Sequence, residues 1–111
     1  MKKFIVVYHA SASWMEKMKN ASPEDHKKGM EPWMAWAKKC GSGLVDWGAP
    51  LGNGQMVSKN GSMPSKNDVV GYSILQAENM KKAVEMLREH PHLTGAEGCE
   101  IEVYEAMPMP H

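Results

Sequence analysis

Near its start the chain reads Lys3-Phe4-Ile5-Val6-Val7-Tyr8-His9. This β-branched and aromatic run is too short for a helix, so it predicts a strand. Successive side chains of a strand point to opposite faces of its sheet. Because residues 4–8 are all apolar or aromatic, both faces of this strand are expected to lie against other apolar groups.

A similar run from Val69 to Gln76 predicts a second long strand, again with apolar residues on both faces. Shorter strands are predicted at Leu44–Trp47 and Cys99–Glu105. The segment from Gln55 to Met63 lies between Leu44–Trp47 and Val69–Gln76. It predicts a small hairpin, because its Asn60-Gly61 dipeptide suits a type I′ turn.

The segment Ser22-Pro23-Glu24-Asp25 is typical of a helix start, with a capping serine, an early proline and two acids near the positive end of the dipole. This helix is predicted to run to about Cys40 and to end at Gly41. Pro32 predicts either a kink or two helices in series. Four apolar residues at helical spacing predict the buried face: Met30, Trp33, Met34 and Ala37.

A second helix is predicted from Glu78 to His90, with Pro91 ending it. Its predicted buried face consists of Met80, Ala83, Val84 and Leu87. Ala10–Ala21 is predicted to be a polar connection with at most a helical turn. The element order β-α-β-hairpin-β-α-β is the α+β, ferredoxin-like plan. We therefore expect one such domain over residues 1–111, with 106–111 as a loose or strap-like tail.

The composition excludes several classes of protein. Thirteen basic residues balance thirteen acidic ones, and Arg88 is the only arginine, which argues against nucleic-acid binding and broad attraction to membranes. No apolar stretch is long enough to span a bilayer. Cys40 and Cys99 fit neither a CxxC motif nor a disulfide framework, which favours reduced thiols in a cytoplasmic protein.

The pattern of the long strands predicts a homodimer. The ferredoxin-like plan usually places the first and third main strands in the centre of the sheet. Two helices can cover only one face of a four-stranded sheet, yet these two strands are apolar on both faces. Burying roughly 300–600 Å² of this surface per chain, at about 25 cal/mol per Å², would give several kcal/mol before the costs of association. The alternative is that the tail and the hairpin fold over the same face.

Six segments carry a resemblance to a known family: Trp33–Trp36, Leu44–Leu51, Val70–Ala77, Ala83, His90–His92 and Ile101–Val103. They resemble the YCII-related (DGPF-type) family. The resemblance implies a dimeric α+β barrel, a fold shared with cofactor-free monooxygenases and muconolactone-type isomerases and dechlorinases. Pro64-Ser65-Lys66 stands roughly where one branch has Asp-Gly-Pro-Phe. Part of the family has a proposed His–Asp site, and the position of its histidine corresponds to about Glu31.

The predicted topology brings five titratable residues toward one end of the domain: His9, His26, Asp46, His90 and His92. An Asp–His pair could perform acid–base catalysis, so we interpret Asp46, His90 and His9 as candidate catalytic residues. The alternatives are structural, since Asp46 could hold a turn and His90 could complement a helix dipole. Glu100 and Glu102 share a face of the last strand and could be buried acids if that face lines the dimer interior; the alternative is an edge exposed to water.

A ligand site could be walled by aromatic residues near the same end. The candidate binding residues are Trp33, Trp36, Trp47, Tyr72 and His92. The alternative is that these rings belong to the core. Metal binding by the histidines and Asp46 is a weaker hypothesis, because a proline separates His90 from His92, and we expect no metal or other cofactor.

The resulting functional hypothesis is a cofactor-free enzyme of acid–base type. Its substrate would be a small cyclic or unsaturated acid or carbonyl compound. Two alternatives remain open at this point: a dimer that binds or senses a small ligand without catalysis, and a metal-assisted dioxygenase.

Overall fold

The computed structural model describes residues 1–65, 67–94 and 98–108. The elements follow in this order: β1 (Lys2–His9), α1 (Ala12–Lys19), α2 (Pro23–Cys40), β2 (Leu44–Asp46), β3 (Gln55–Ser58), β4 (Gly61–Pro64), β5 (Val69–Ala77), α3 (Met80–Arg88), α4 (Pro91–Thr94) and β6 (Glu100–Glu105). A single 3₁₀ turn at Gly41–Gly43 joins α2 to β2.

Four strands form one antiparallel sheet in the order β2-β5-β1-β6. The fold is therefore α+β, and the prediction that the first and third main strands lie in the centre is confirmed. The hairpin β3–β4 forms a separate two-stranded sheet.

The two faces of the sheet have different surroundings. On the helix side, Phe4, Val6 and Tyr8 are at most 1% exposed. They belong to a core shared by β1, β5, α2 and α3, whose buried members include Trp36, Ala37, Leu75, Ala83 and Leu87. On the other face, which we call the open face, Ile5 and Val7 remain partly exposed.

Both cysteines are free thiols, and Cys40 lies against this core. Cys99 is buried and Cys40 is partly buried. Within the described ranges, none of the helices combines the length and the apolar character needed to cross a bilayer.

Helix α2 begins as its sequence predicts. The Ser22 hydroxyl accepts the backbone N–H of Asp25, whose carboxylate accepts that of Ser22 in return, which is a capping box. The helix is continuous through Pro32, so the prediction of two helices in series is wrong. Of the predicted buried face, Ala37 is buried, but Met30 and Met34 are about half exposed, because the buried side of α2 includes Trp36 in their place.

Two short helices were not predicted. Helix α1 forms because Ser11 caps it by accepting the backbone N–H of Trp14, in a segment where only a polar connection was expected. Helix α4 begins at Pro91, which therefore opens a helical turn rather than only ending α3.

The hairpin forms where it was predicted, but its turn is different. Ser58 pairs with Gly61, so Lys59 and Asn60 occupy the turn. Neither has a positive φ, and the predicted type I′ turn at Asn60-Gly61 is therefore wrong.

The segment after β2 stays close to β5. The backbone N–H of Leu51 donates to the carbonyl of Val70 over 2.9 Å, and that of Tyr72 donates to the carbonyl of Ala49 over 3.4 Å. Gly48 has a φ of 78°, and a Cβ there would lie 1.7 Å from the Tyr72 carbonyl oxygen. Only glycine permits this close approach of the two backbones.

The start of the tail is anchored to the sheet. The backbone N–H of Ala106 donates to the carbonyl of Lys3 over 2.9 Å, while Met107 is exposed. The prediction of a loose or strap-like tail extends to 109–111, which lie outside the described residues.

Candidate functional site

Two histidines lie inside the core, on the helix side of the sheet. His90 is fully buried, and its ring centroid is 4.3 Å from the rings of both Trp33 and Trp36. The ring of Tyr8 lies 5.0 Å from His90. The backbone N–H of His92 donates to Nδ1 of His90 over 2.9 Å. We call these five residues the buried cluster.

Burial keeps the two histidines of the buried cluster uncharged. Desolvation, assisted by the nearby His92, lowers the pKa of His90 to about 3. Desolvation also lowers the pKa of His92, whose Nε2–H donates to the carbonyl oxygen of His9 over 2.6 Å. Both imidazoles are therefore neutral near pH 7 and act as packing surface.

A chain of hydrogen bonds connects the buried cluster to the loop after β2. The Tyr8 hydroxyl donates to Ser73 Oγ over 2.7 Å, and the Ser73 hydroxyl donates to the Trp47 carbonyl over 2.9 Å. Desolvation raises the pKa of Tyr8 to about 12, so its hydroxyl keeps its proton. The chain fixes the backbone of Trp47, while its indole stays about half exposed.

A third histidine, His9, lies on the open face between two carboxylates. Its Nδ1 is 2.6 Å from Asp68 Oδ1, and its Nε2 contacts Glu102 Oε1. The other carboxylate oxygen of Glu102 accepts the hydroxyl of Tyr104. We call His9, Asp68, Glu102 and Tyr104 the open cluster.

The two carboxylates favour the imidazolium form of His9. The hydrogen bond to Asp68 raises the pKa of His9 most, and the bond to Glu102 adds to it against the opposing effect of desolvation. The bond from His9 lowers the pKa of Asp68, and the bonds from Tyr104 and His9 lower that of Glu102. Both ring nitrogens of His9 can donate at once only when the ring is protonated.

A bound molecule could reach the open cluster from solvent. The side chains of Asp68 and Glu102 are 59% and 49% exposed, whereas that of His9 is 18% exposed. Val7 and Tyr72 lie opposite each other on the same face and give the cluster an apolar floor. A histidine oriented by a carboxylate beside an apolar surface can perform general acid–base catalysis.

Asp46 lies apart from both clusters, contrary to the prediction that it pairs with a histidine. It is opposite Ile74 of β5, which is itself opposite Ile5 of β1. Asp46 is thus four residues from the level of His9, about 13 Å along the sheet, and two strands away. Its Oδ1 accepts the backbone N–H of Gly48 over 2.8 Å, which is the turn-holding role of the alternative interpretation.

The four candidate pocket aromatics do not share one pocket. Trp33 and Trp36 lie on the helix side, where Trp36 Nε1–H donates to the carbonyl of Met86 over 2.8 Å. Tyr72 is partly exposed on the open face, and Trp47 is in the loop after β2. The core interpretation therefore holds for the first two rings.

Sequence reasoning missed Asp68 and Tyr104. A signal for Asp68 was present, because it directly precedes β5, whose first residue pairs with His9 at the end of β1. Tyr104 lies two residues after Glu102, so both point to the same face of the strand. His26 was expected near the other histidines and is exposed in the first turn of α2.

The described part of the chain presents no group of three or more His, Cys, Asp or Glu side chains arranged to hold a metal ion. A groove of about 710 Å³ lies at the opposite end of the sheet from His9, between α2, α3 and the end of β5. Lys39, Lys82, Glu85 and Glu89 on its walls form ion pairs with one another. Trp36 of the buried cluster lines part of this groove, whereas none of the four residues of the open cluster does.

A scan against protein-family models finds no match, and a search of the curated proteins finds no significantly similar sequence. The function is accordingly argued from the geometry of the two clusters.

Proposed function

We propose that this chain is a cofactor-free enzyme that performs acid–base chemistry on a small cyclic or unsaturated carbonyl compound. It would work as a homodimer of the YCII-related, dimeric α+β barrel type. The observation that carries the proposal is the position of His9 between Asp68 and Glu102 on a partly exposed, apolar sheet face. Proton transfer near neutral pH needs a group such as this histidine.

The topology supports the proposed assembly. The strand order β2-β5-β1-β6, with the helical core on one side, supports the proposal of a ferredoxin-like plan. Ile5, Val7 and Ile74 remain partly exposed at the centre of the open face. A second copy packed sheet against sheet would bury these side chains.

In the proposed reaction, Asp68 fixes His9 through Nδ1, and Nε2 exchanges its proton with the substrate through Glu102. The C–H bond next to the substrate carbonyl breaks, and its proton passes to the Glu102–His9 pair. The pair exchanges this proton with water and then adds a proton to another carbon of the same molecule. This isomerisation balances without an oxidant, a reductant or a cofactor.

The charge around His9 favours a neutral substrate over an anionic one. Glu100 lies opposite His9 on the adjacent strand, and Asp68 and Glu102 contact the ring directly. Three carboxylates beside one imidazolium would repel a substrate carboxylate. A cyclic or unsaturated ketone, ester or lactone therefore suits the site better than a free acid.

The test follows proton exchange into small ketones and lactones by NMR in deuterated water. We expect wild type to exchange the proton next to the carbonyl of at least one compound. His9→Gln and Glu102→Gln should slow that exchange about 100-fold or more, the usual effect of a lost general acid–base group. Asp46→Asn is the matched control, because an asparagine oxygen can still accept the Gly48 N–H.

Two results would contradict the proposed reaction. One is exchange that survives in His9→Gln; the other is the absence of exchange and of thermal stabilisation by every compound. A compound that stabilises wild type but not His9→Gln, without exchange, would assign the open face to ligand binding or sensing instead.

A further inference from the structure

The hairpin β3–β4 extends from the rest of the chain as an arm, which we define as Gln55–Pro64. All eight of its strand residues are exposed, and its strands pair only with each other. The radius of gyration is 15.4 Å, against roughly 13 Å for a compact chain of this length. A two-stranded hairpin is at best marginally stable alone in water.

Both faces of the arm carry apolar side chains. Met56 and Met63 lie opposite each other on one face and are 56% and 58% exposed. Val57, on the other face, is 75% exposed. Exposed apolar groups concentrated on one small element indicate a contact surface for a partner.

The arm emerges beside the open cluster. The backbone N–H of Ser65 donates to the carbonyl of Gly54 over 2.8 Å and closes the root of the arm. Three residues later, Asp68 contacts the ring of His9, and its carbonyl accepts the backbone N–H of Ala10 over 3.0 Å. The root of the arm is therefore close to Asp68, the carboxylate that orients His9.

Area and charge identify the partner as a second copy of this chain. A stable interface buries about 800 Å² per partner, more than the roughly 300–600 Å² that one apolar sheet face supplies. Lys59, at the tip, is the only charged residue of the arm, whereas Glu100 and Glu102 lie at the acidic end of the open face. Each copy carries both an arm and an acidic end of the open face. Two copies related by a two-fold axis can therefore form both arm-to-face contacts at once.

We propose that the arm of one copy docks on the acidic end of the open face of a second copy and covers its open cluster. Lys59 meets Glu100, and the methionines of the arm exclude water from the site around His9. The site of each copy is thus incomplete without the other. The inference depends on the proposed dimer but not on the proposed reaction.

The test compares dimer dissociation constants by sedimentation. Met56→Ser, Val57→Ser and Met63→Ser combined should raise the dissociation constant about tenfold or more. Met34→Ser is the matched control, because Met34 has the same 56% exposure as Met56 but lies on α2. It should leave the constant unchanged.

A charge exchange identifies the contact. Lys59→Glu should weaken the dimer, and adding Glu100→Lys to the same chain should restore it. A second readout is the NMR titration of His9, whose pKa should change when the arm variants release Asp68 to solvent. Circular dichroism confirms that each variant is folded.

Three outcomes would overturn the inference: a wild type that stays monomeric at micromolar concentration, a dimer that tolerates the triple arm variant, or no rescue by the charge exchange. His9→Gln separates the two proposals. If His9→Gln loses exchange but still dimerises, the result supports the proposed reaction and says nothing about docking. If the arm variants lose the dimer, the result supports docking and says nothing about the role of His9 in the reaction.

Discussion

The buried cluster and the open cluster each contain a histidine, and their surroundings shift its pKa in opposite directions. His90 has no exposed surface, and desolvation lowers its pKa to about 3. His9 lies between two carboxylates on the other face, and its pKa is raised. The two regions are joined by one hydrogen bond, from His92 to the carbonyl of His9.

The difference teaches that the environment, rather than the residue type, decides whether a histidine stabilises the fold or handles protons. Within the aromatic rings of the buried cluster, charge is too costly for the imidazole to titrate near neutrality. On the open face, carboxylates supply the compensating charge. A histidine can exchange protons with a substrate only where the substrate can reach it, and His9 is partly exposed beside two carboxylates.

The largest expected effect separates the clusters by stability. His90→Ala should lower the free energy of unfolding by about 2–4 kcal/mol, because it leaves a cavity between two indole rings. His9→Ala should cost less than about 1 kcal/mol, since its ion pairs lie at the surface. Urea unfolding measures both, and equal losses would contradict the division of roles.

The next effect concerns acid. The folded pKa of His90 is about 3, whereas an unfolded histidine titrates near 6.5, so the unfolded chain takes up the proton first as the pH falls. The contribution of the neutral His90 to the free energy of unfolding should be fully present above about pH 6.5. Below that pH, the free energy of unfolding should fall by roughly 1.4 kcal/mol per pH unit. His90→Phe should flatten this slope, which urea unfolding at a series of pH values measures.

The third effect concerns the open cluster and has the opposite sign. The pKa of His9 is raised, so the stability it contributes is present below about pH 6.5 and is lost as pH rises through its folded pKa. Asp68→Asn should lower the pKa of His9 more than Glu102→Gln does, because Asp68 is the stronger cause. NMR titration of the ring tests the order, and a larger change from Glu102→Gln would reverse it.

The smallest effect concerns Asp46, which belongs to neither cluster. Asp46→Ala should cost about 0.5–1.5 kcal/mol, because the Gly48 N–H loses its acceptor. Asp46→Asn should be nearly neutral and should leave the titration of His9 unchanged. A change in that titration would mean that Asp46 acts on the open cluster after all.

The long strands could be predicted because their signal is local and strong. The runs 3–9 and 69–76 consist mostly of β-branched, aromatic and other apolar residues, and the predicted central position of both strands is confirmed. Helix α1 was missed although Trp14, Met15 and Met18 recur at helical spacing, because the segment from Ala10 to Ala21 is polar overall. Met30 and Met34 were assigned to the wrong side because the spacing fits two faces, and only the packing of Trp36 selects one.

The site could be predicted in part. Chain order places His9, His90 and His92 at one end, and the structure brings His92 into contact with His9. Chain order does not say on which face of the sheet a side chain lies, so His90 and His9 were taken as one group. Asp68 was missed as a partner of His9 for the same reason, since the residues that face each other depend on register rather than on sequence distance.

The register between β1 and β5 has an irregularity at His9. Tyr8 is opposite Gly71 and His9 is opposite Val69, so β5 carries one residue more than β1 at this point. A homologous chain lacking that single residue would keep every side chain of the open cluster yet turn Asp68 toward the helices. The contact between Asp68 and His9 thus depends on the number of residues in β5. An insertion or deletion there would abolish the contact without replacing either functional group.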